Sequence, residues 1–203
     1  MSVDTLRYFL MLSASLLIAV LLSGCVAVAG GAVVTGAAVA NDRRTSGTMV
    51  EDQSIELRAY SAIRKDTEIN EQAHINVTSY NQIVLLTGEA PTEELRQRVV
   101  EHVRSVREVK KIYNEIALAA PSSLGSRSSD TLITTKVKTK LFATRDLDAT
   151  RVKVITERGI VYLFGLLSAE EADRATEATR TVGGVQKVVK LFEPFEEQTQ
   201  AEE

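Results

Sequence analysis

The sequence predicts an α+β protein of two tandem units. Each runs α-β-β-α-β, with a three-stranded mixed sheet packed against two helices. Three observations predict it. The chain repeats itself: Gly88 and Gly165 stand 77 residues apart, and so do Val77 and Val154, and self-similarity at a fixed period marks a duplicated unit. Each copy holds two β-branched runs around a tight turn, which is a hairpin signal. Each hairpin is preceded and followed by apolar residues at helical spacing.

The elements follow in chain order. Arg7 precedes an apolar run that begins at Tyr8 and holds only Ser13 and Ser15 as polar residues. The run is short for a bilayer span, which takes roughly 20 apolar residues, and small residues follow it. That is the layout of a secretory signal peptide over residues 1–24. Leu22-Ser23-Gly24-Cys25 resembles the lipobox of bacterial lipoproteins. The resemblance implies cleavage before Cys25, a diacylglyceryl thioether on its sulfur and acylation of its new amino group. Several acyl chains hold far better than one. Val26, where an Asp would favour retention in the inner membrane, implies the outer membrane by the same analogy. Cys25 is the only cysteine, so the fold has to stand on its core without an internal disulfide.

Residues 25–49 read as a lipidated N-terminus and linker. Val26 to Ala40 is apolar but small, with Gly30, Gly31 and Gly36, and Asn41 to Thr48 is polar. As a flexible coil, the roughly 25 residues from Cys25 to Val50 would span about 25–30 Å.

The first unit covers residues 50–119. Ile55, Ala59 and Ile63 recur every four residues after Asp52, an expected cap of the helix start. Ile75 to Thr78 and Ile83 to Gly88 form the hairpin, with Asn81 able to take a positive φ. Pro91-Thr92-Glu93-Glu94 opens the second helix, whose apolar side is Leu95, Val99, Val100 and Val103. Val109 to Leu118 supplies the third strand, parallel to its neighbour because a β-α-β crossover is right-handed. Residues 120–129, with Pro121, Gly125 and serines, read as a linker.

The second unit covers residues 130–193. Asp130 is again the expected cap, before Ile133, Val137 and Leu141. Val152 to Ile155 and Ile160 to Gly165 flank an Arg158-Gly159 turn. Ser168 and Glu171 have capping-box spacing, and Gly183-Gly184 reads as a helix terminator before the strand from Val185. The tail, 194–203, is acidic. Units this small bury a modest share of their surface, so mutual packing of the copies is expected to help.

The marks of the repeat resemble the BON domain: an early Asp, a Val-x-Val strand, a strand ending in Leu-x-Gly, and Gly-Val-x-x-Val. The second copy carries all of them in Asp130, Val152-Lys153-Val154, Leu163-Phe164-Gly165 and Gly184-Val185-Gln186-Lys187-Val188. In the first copy Glu108 replaces the last Gly, so a differently shaped helix exit is expected there. The resemblance covers nearly the whole chain after Cys25. It implies phospholipid binding and maintenance of the cell envelope, without catalysis.

The residues themselves do not argue for an enzyme. His74 and His102 lack a Cys or His partner at metal-ligand spacing and read as solvated. Glu93-Glu94 and Glu170-Glu171 sit at helix starts, where the dipole favours negative charge. No Gly-x-Ser-x-Gly elbow or phosphate-cradling loop is present, and neither a metal nor a cofactor is expected. A net charge of −3 and the absence of Trp argue against a nucleic-acid surface.

The helix from Asp130 is the candidate site. At 100° per residue, Ile133, Val137 and Leu141 share an 80° arc that should face the sheet. Leu132, Thr135, Lys136, Thr139, Lys140 and Phe142 fall outside it, with Lys138 and Arg145 adding charge. Exposed apolar residues among lysines suit an anionic phospholipid membrane. The alternatives are a solvated basic face with Leu132 and Phe142 covered by the other unit, or a non-catalytic scaffold that binds an envelope protein or peptidoglycan. The first copy's helix carries Arg58, Arg64 and Lys65 but also Glu56, and is the poorer candidate.

Overall fold

The computed structural model describes residues 41–121 and 124–195. The signal peptide, Cys25, the segment to Ala40 and the acidic residues after Phe195 lie outside them. The first unit comprises α1 (Ser46–Arg64), α2 (Thr67–Gln72), β1 (His74–Tyr80), β2 (Ile83–Ala90), α3 (Glu93–Arg104), β3 (Lys111–Asn114) and β4 (Ala117–Leu118). The second comprises α4 (Leu124–Phe142), a 3-10 turn (Ala149–Arg151), β5 (Lys153–Glu157), β6 (Ile160–Leu167), α5 (Ala169–Arg180) and β7 (Lys187–Pro194). The short helix α2 was not expected.

Both sheets are mixed. β2 pairs antiparallel with β1 and parallel with β3 and β4, and β6 pairs antiparallel with β5 and parallel with β7. The hairpin turns have positive φ at both central residues, 52° and 68° at Asn81 and Gln82, 53° and 74° at Arg158 and Gly159. That twist suits a two-residue hairpin. The Gly of each Leu-x-Gly mark has a packing reason. A Cβ on Gly88 would lie 1.9 Å from the His74 carbonyl oxygen, and one on Gly165 would lie 2.7 Å from that of Arg151.

Asp52 and Asp130 do not cap their helices. The helices start earlier, at Ser46 behind a Thr45 cap and at Leu124, and both aspartates are buried mid-helix. Each carboxylate accepts the two backbone N–H groups of its own hairpin turn. Asp52 takes Asn81 at 2.8 Å and Gln82 at 2.7 Å; Asp130 takes Arg158 and Gly159, both at 2.8 Å. A turn with both φ values positive points its N–H groups inward, and a buried carboxylate one helix away is the partner they need. The early Asp of the repeat is thus a lock between helix and hairpin.

Glu108 has φ 68° and Gly184 φ 102°. The first copy therefore keeps the left-handed exit without glycine, contrary to the different shape expected. Helix α5 ends at a Thr181 cap, ahead of the glycines. The Ser168–Glu171 capping box is formed.

The strands alternate between two cores. Val84 and Leu86 of β2 pack with Ile55, Ala59 and Ile63 of α1, and Val161 and Leu163 of β6 pack with Ile133, Val137 and Leu141 of α4. The opposite faces, Ile83 and Leu85 with Tyr162, Phe164 and Leu191, meet in a third core. Period-2 side-chain alternation makes this possible. The layers therefore run helices, sheet, sheet, helices, and the expected mutual packing is a sheet-on-sheet interface. Polar bonds rim it: Asn76 Nδ2 donates to Glu157 Oε2 at 2.9 Å, Asn81 Nδ2 to Glu193 Oε1 at 2.9 Å, and Lys153 Nζ to the Ser79 carbonyl at 3.1 Å. Burial pushes the Glu157 carboxyl above its ordinary range, against the Asn76 bond that favours the anion.

The polar stretch before α1, expected as linker, is docked from Arg43 onward. Arg43 Nη1 donates to the Leu166 carbonyl at 2.9 Å and pairs with Glu171, and its guanidinium lies 4.0 Å over the Phe195 ring. Arg44 pairs with Asp52 at 2.8 Å and lies 3.9 Å over Tyr80. Neighbouring arginines thus grip different units. The expected 120–129 linker is likewise shortened, since α4 reaches back to Leu124.

His102 is not simply solvated. Its Nε2 lies 3.2 Å from Asp66 Oδ2, and Arg98 pairs with the same carboxylate. The His102 bond, the largest influence, together with Arg98 and the Ile69 N–H, holds the Asp66 carboxyl down at about 2 against the opposing effect of burial. The contribution of a depressed carboxylate is full above the ordinary pKa and lost as pH falls through the folded value. Acid titration followed by circular dichroism should therefore show unfolding between about pH 4 and pH 2 that is shallower in Asp66→Asn than in the parent chain.

Candidate functional site: the outer face of α4

Helix α4 presents two faces. Ile133, Val137 and Leu141 are buried against the sheet, while Leu132 is 62 % exposed and Phe142 65 % exposed. The alternative in which the other unit covers them is not what the structure shows. Thr135, Lys136, Thr139 and Lys140 line one groove of about 430 Å³, closed on its far side by Thr181 and Val182 at the end of α5. The six expected residues were legible from the helical period alone. Thr181 and Val182 were not, because nothing local marks the end of one helix as the wall of a groove on another.

The groove is less polar than its composition suggests. Thr135 Oγ1 donates to the Thr131 carbonyl at 3.0 Å, Thr139 Oγ1 to the Thr135 carbonyl at 2.9 Å, and Thr144 Oγ1 to the Lys140 carbonyl at 2.9 Å. A hydroxyl bonded back to its own helix is partly satisfied and turns its methyl outward. Lys136, Lys138 and Lys140 are exposed and make no ion pair among the described residues. Their long stems can lie along apolar surface while the ammonium groups stay in a polar layer.

The equivalent face of α1 differs. Arg58 pairs with Glu51, and Glu56 accepts from the Ser79 N–H at 2.8 Å and lies 3.4 Å from Lys153 Nζ. Part of its charge is neutralised within the protein.

Among the described residues, no three His, Cys, Asp or Glu side chains are placed to hold a metal ion. No described helix is long and apolar enough to cross a membrane. Glu93 and Glu170 are bonded at their helix starts, to Arg96 and Gln97 and to Ser168, as the helix-dipole reading expects.

The BON domain family matches residues 51–120 and 129–193. The chain is 36% identical over 173 residues to the outer membrane lipoprotein DolP of Haemophilus influenzae, covering 85% of this chain and 90% of that protein. It is 43% identical over 151 residues to a 21 kDa hemolysin of Actinobacillus pleuropneumoniae, 74% of this chain and 78% of the relative. It is 26% identical over 145 residues to the osmotically-inducible protein Y of Escherichia coli, 70% of this chain and 72% of the relative. With the repeat architecture and the locked hairpins in place, these matches mean that the chain belongs to the BON-domain family, as an outer-membrane lipoprotein built from two such domains.

Proposed function

We propose that this lipoprotein is anchored through acyl chains on Cys25, faces the periplasm, and binds anionic phospholipid through the outer face of α4, in a non-catalytic role that supports envelope integrity. The observation that carries the reading is the pairing of Leu132 and Phe142, both more than half exposed, with lysines that have no acidic partner among the described residues. Singly exposed apolar residues are common on protein surfaces, so the reading rests on the place of Leu132 and Phe142 on one helix among these lysines. Flanked by cations, they suit a surface where apolar groups enter the acyl boundary and ammonium groups meet phosphates. Each lysine near an anionic surface contributes about 1 kcal/mol. A buried Leu or Phe side chain contributes about 1.5–3 kcal/mol.

The test is Leu132→Glu, assayed on phosphatidylglycerol vesicles. Losing the apolar contribution and adding a negative charge should weaken binding at least tenfold, by roughly 1.4 kcal/mol or more. Leu132 is exposed, so the melting temperature should stay unchanged. Unchanged vesicle binding rejects the site. Cross-linking that captures one envelope protein, with no vesicle binding at all, supports a scaffold instead.

A further inference from the structure

The first domain carries an apolar groove that lipid binding by α4 leaves unused. It has a volume of about 680 Å³ and runs between α1, α2 and the start of β1, with Leu57, Tyr60, Ile69 and Ala73 among its walls and Ile75 along its side. Leu57 is 71 % exposed, the highest value among the large apolar residues of the described chain.

Strand β1 is an edge of its sheet. The two-residue turn at Asn81 and Gln82 makes Tyr80 and Ile83 a hydrogen-bonded pair, so Thr78 and Asn76 also point their backbone groups toward β2. Ser79, Val77 and Ile75 point theirs outward. The protein covers most of this outer edge. Val77 N–H donates to the Tyr60 hydroxyl at 3.2 Å, Ser79 N–H to Glu56 at 2.8 Å, and the Ser79 carbonyl accepts from Lys153 at 3.1 Å. Ile75 has no such cover among the described residues, and it lies where the edge opens onto the groove. Proteins usually blunt a free edge; here the blunting stops where the apolar pocket begins.

We infer that this groove binds an extended peptide segment of an envelope protein, added to β1 at Ile75 with an aliphatic side chain seated between Leu57, Tyr60 and Ala73, above the buried Ile69. Strand addition uses this combination: backbone groups supply affinity and a side-pocket supplies selectivity. Arg64 is the charged residue lining the groove, with no carboxylate beside it, so an acidic residue beside the aliphatic one completes the match. The groove is built on α1, α2 and β1 of the first domain and the membrane reading on α4 of the second, so the two are tested apart.

The test uses the mature acylated chain in nanodiscs and a panel of fluorescent hexapeptides of alternating aliphatic and polar residues ending in glutamate. Saturable binding is expected, with slowed amide exchange at Ile75, the one outward amide of β1 left uncovered among the described residues. Affinity should fall at least tenfold with Leu57→Asp, and also when the peptide amides that would face Ile75 are N-methylated. No saturable binding by any peptide overturns the proposal. So does binding that survives both changes, or a Leu57→Asp variant that loses phosphatidylglycerol vesicles instead. Lipid binding by α4 can fail in its own assay without touching this result, because the peptide assay reads β1 directly.

Discussion

Asp52→Ala is expected to remove a large part of the stability of the first domain. The carboxylate accepts Gln82 N–H and Ser79 Oγ–H at 2.7 Å, and Asn81 N–H and the Arg44 guanidinium at 2.8 Å. Alanine leaves the turn N–H groups without an acceptor beneath the helix. A hydrogen bond to a charged group contributes about 1.5–3 kcal/mol, and a buried donor left unmade costs its desolvation. Two such turn bonds put the loss at roughly 4 kcal/mol or more, against a whole-domain stability of about 5–15 kcal/mol. Urea denaturation should show the first domain of the variant unfolding at much lower denaturant than the parent chain. Asp52→Asn should fall between, since an amide oxygen can accept one N–H but its NH₂ faces donors. A shift within about 0.5 kcal/mol, as for an ordinary surface substitution, would show that the turn does not depend on the lock.

Phe164→Ala is expected to uncouple the two domains. Phe164 is fully buried, yet it lies in the core between the sheets and not in the one beneath α4. Its ring centroid is 5.7 Å from that of Tyr80 in the other domain. Truncating a buried Phe costs about 3–5 kcal/mol, and an aromatic pair adds about 0.5–1.5 kcal/mol to what burial alone contributes. The loss falls on the interface first, so calorimetry should resolve two transitions where the parent chain shows one. The double strap should slow this separation. Arg43 and Arg44, adjacent in sequence, hold Glu171 and Asp52 in different domains. A single unshifted transition would contradict the view that the sheets stabilise each other.

The order α-β-β-α-β was legible in each copy because its signals are local. Period-2 runs, glycine or asparagine at the turns, and a capping box at Ser168 can be read without knowing the fold. The helix starts were misplaced for a physical reason. An aspartate ahead of an apolar helical run looks the same whether it caps its own helix or reaches a turn distant in sequence, and only the tertiary arrangement decides between them. Leu132 and Phe142 were legible as lying off the buried arc. Thr181 and Val182 were not legible as groove walls, and the docking of Arg43 and Arg44 was hidden because a short polar stretch reads as linker whatever it touches. Glu108 shows the reverse limit. Its side chain differs from the repeat's glycine, but the surrounding backbone imposes the left-handed conformation all the same.

Vesicle flotation of the mature chain prepared without its acyl groups tests the central claim most directly, because the anchor can then no longer carry the protein upward. The chain should rise with phosphatidylglycerol vesicles, stay behind with phosphatidylcholine vesicles, and release progressively as salt screens the lysines of α4. A chain that stays at the bottom with both kinds of vesicle, or floats equally with both, would contradict an anionic-lipid site on that helix.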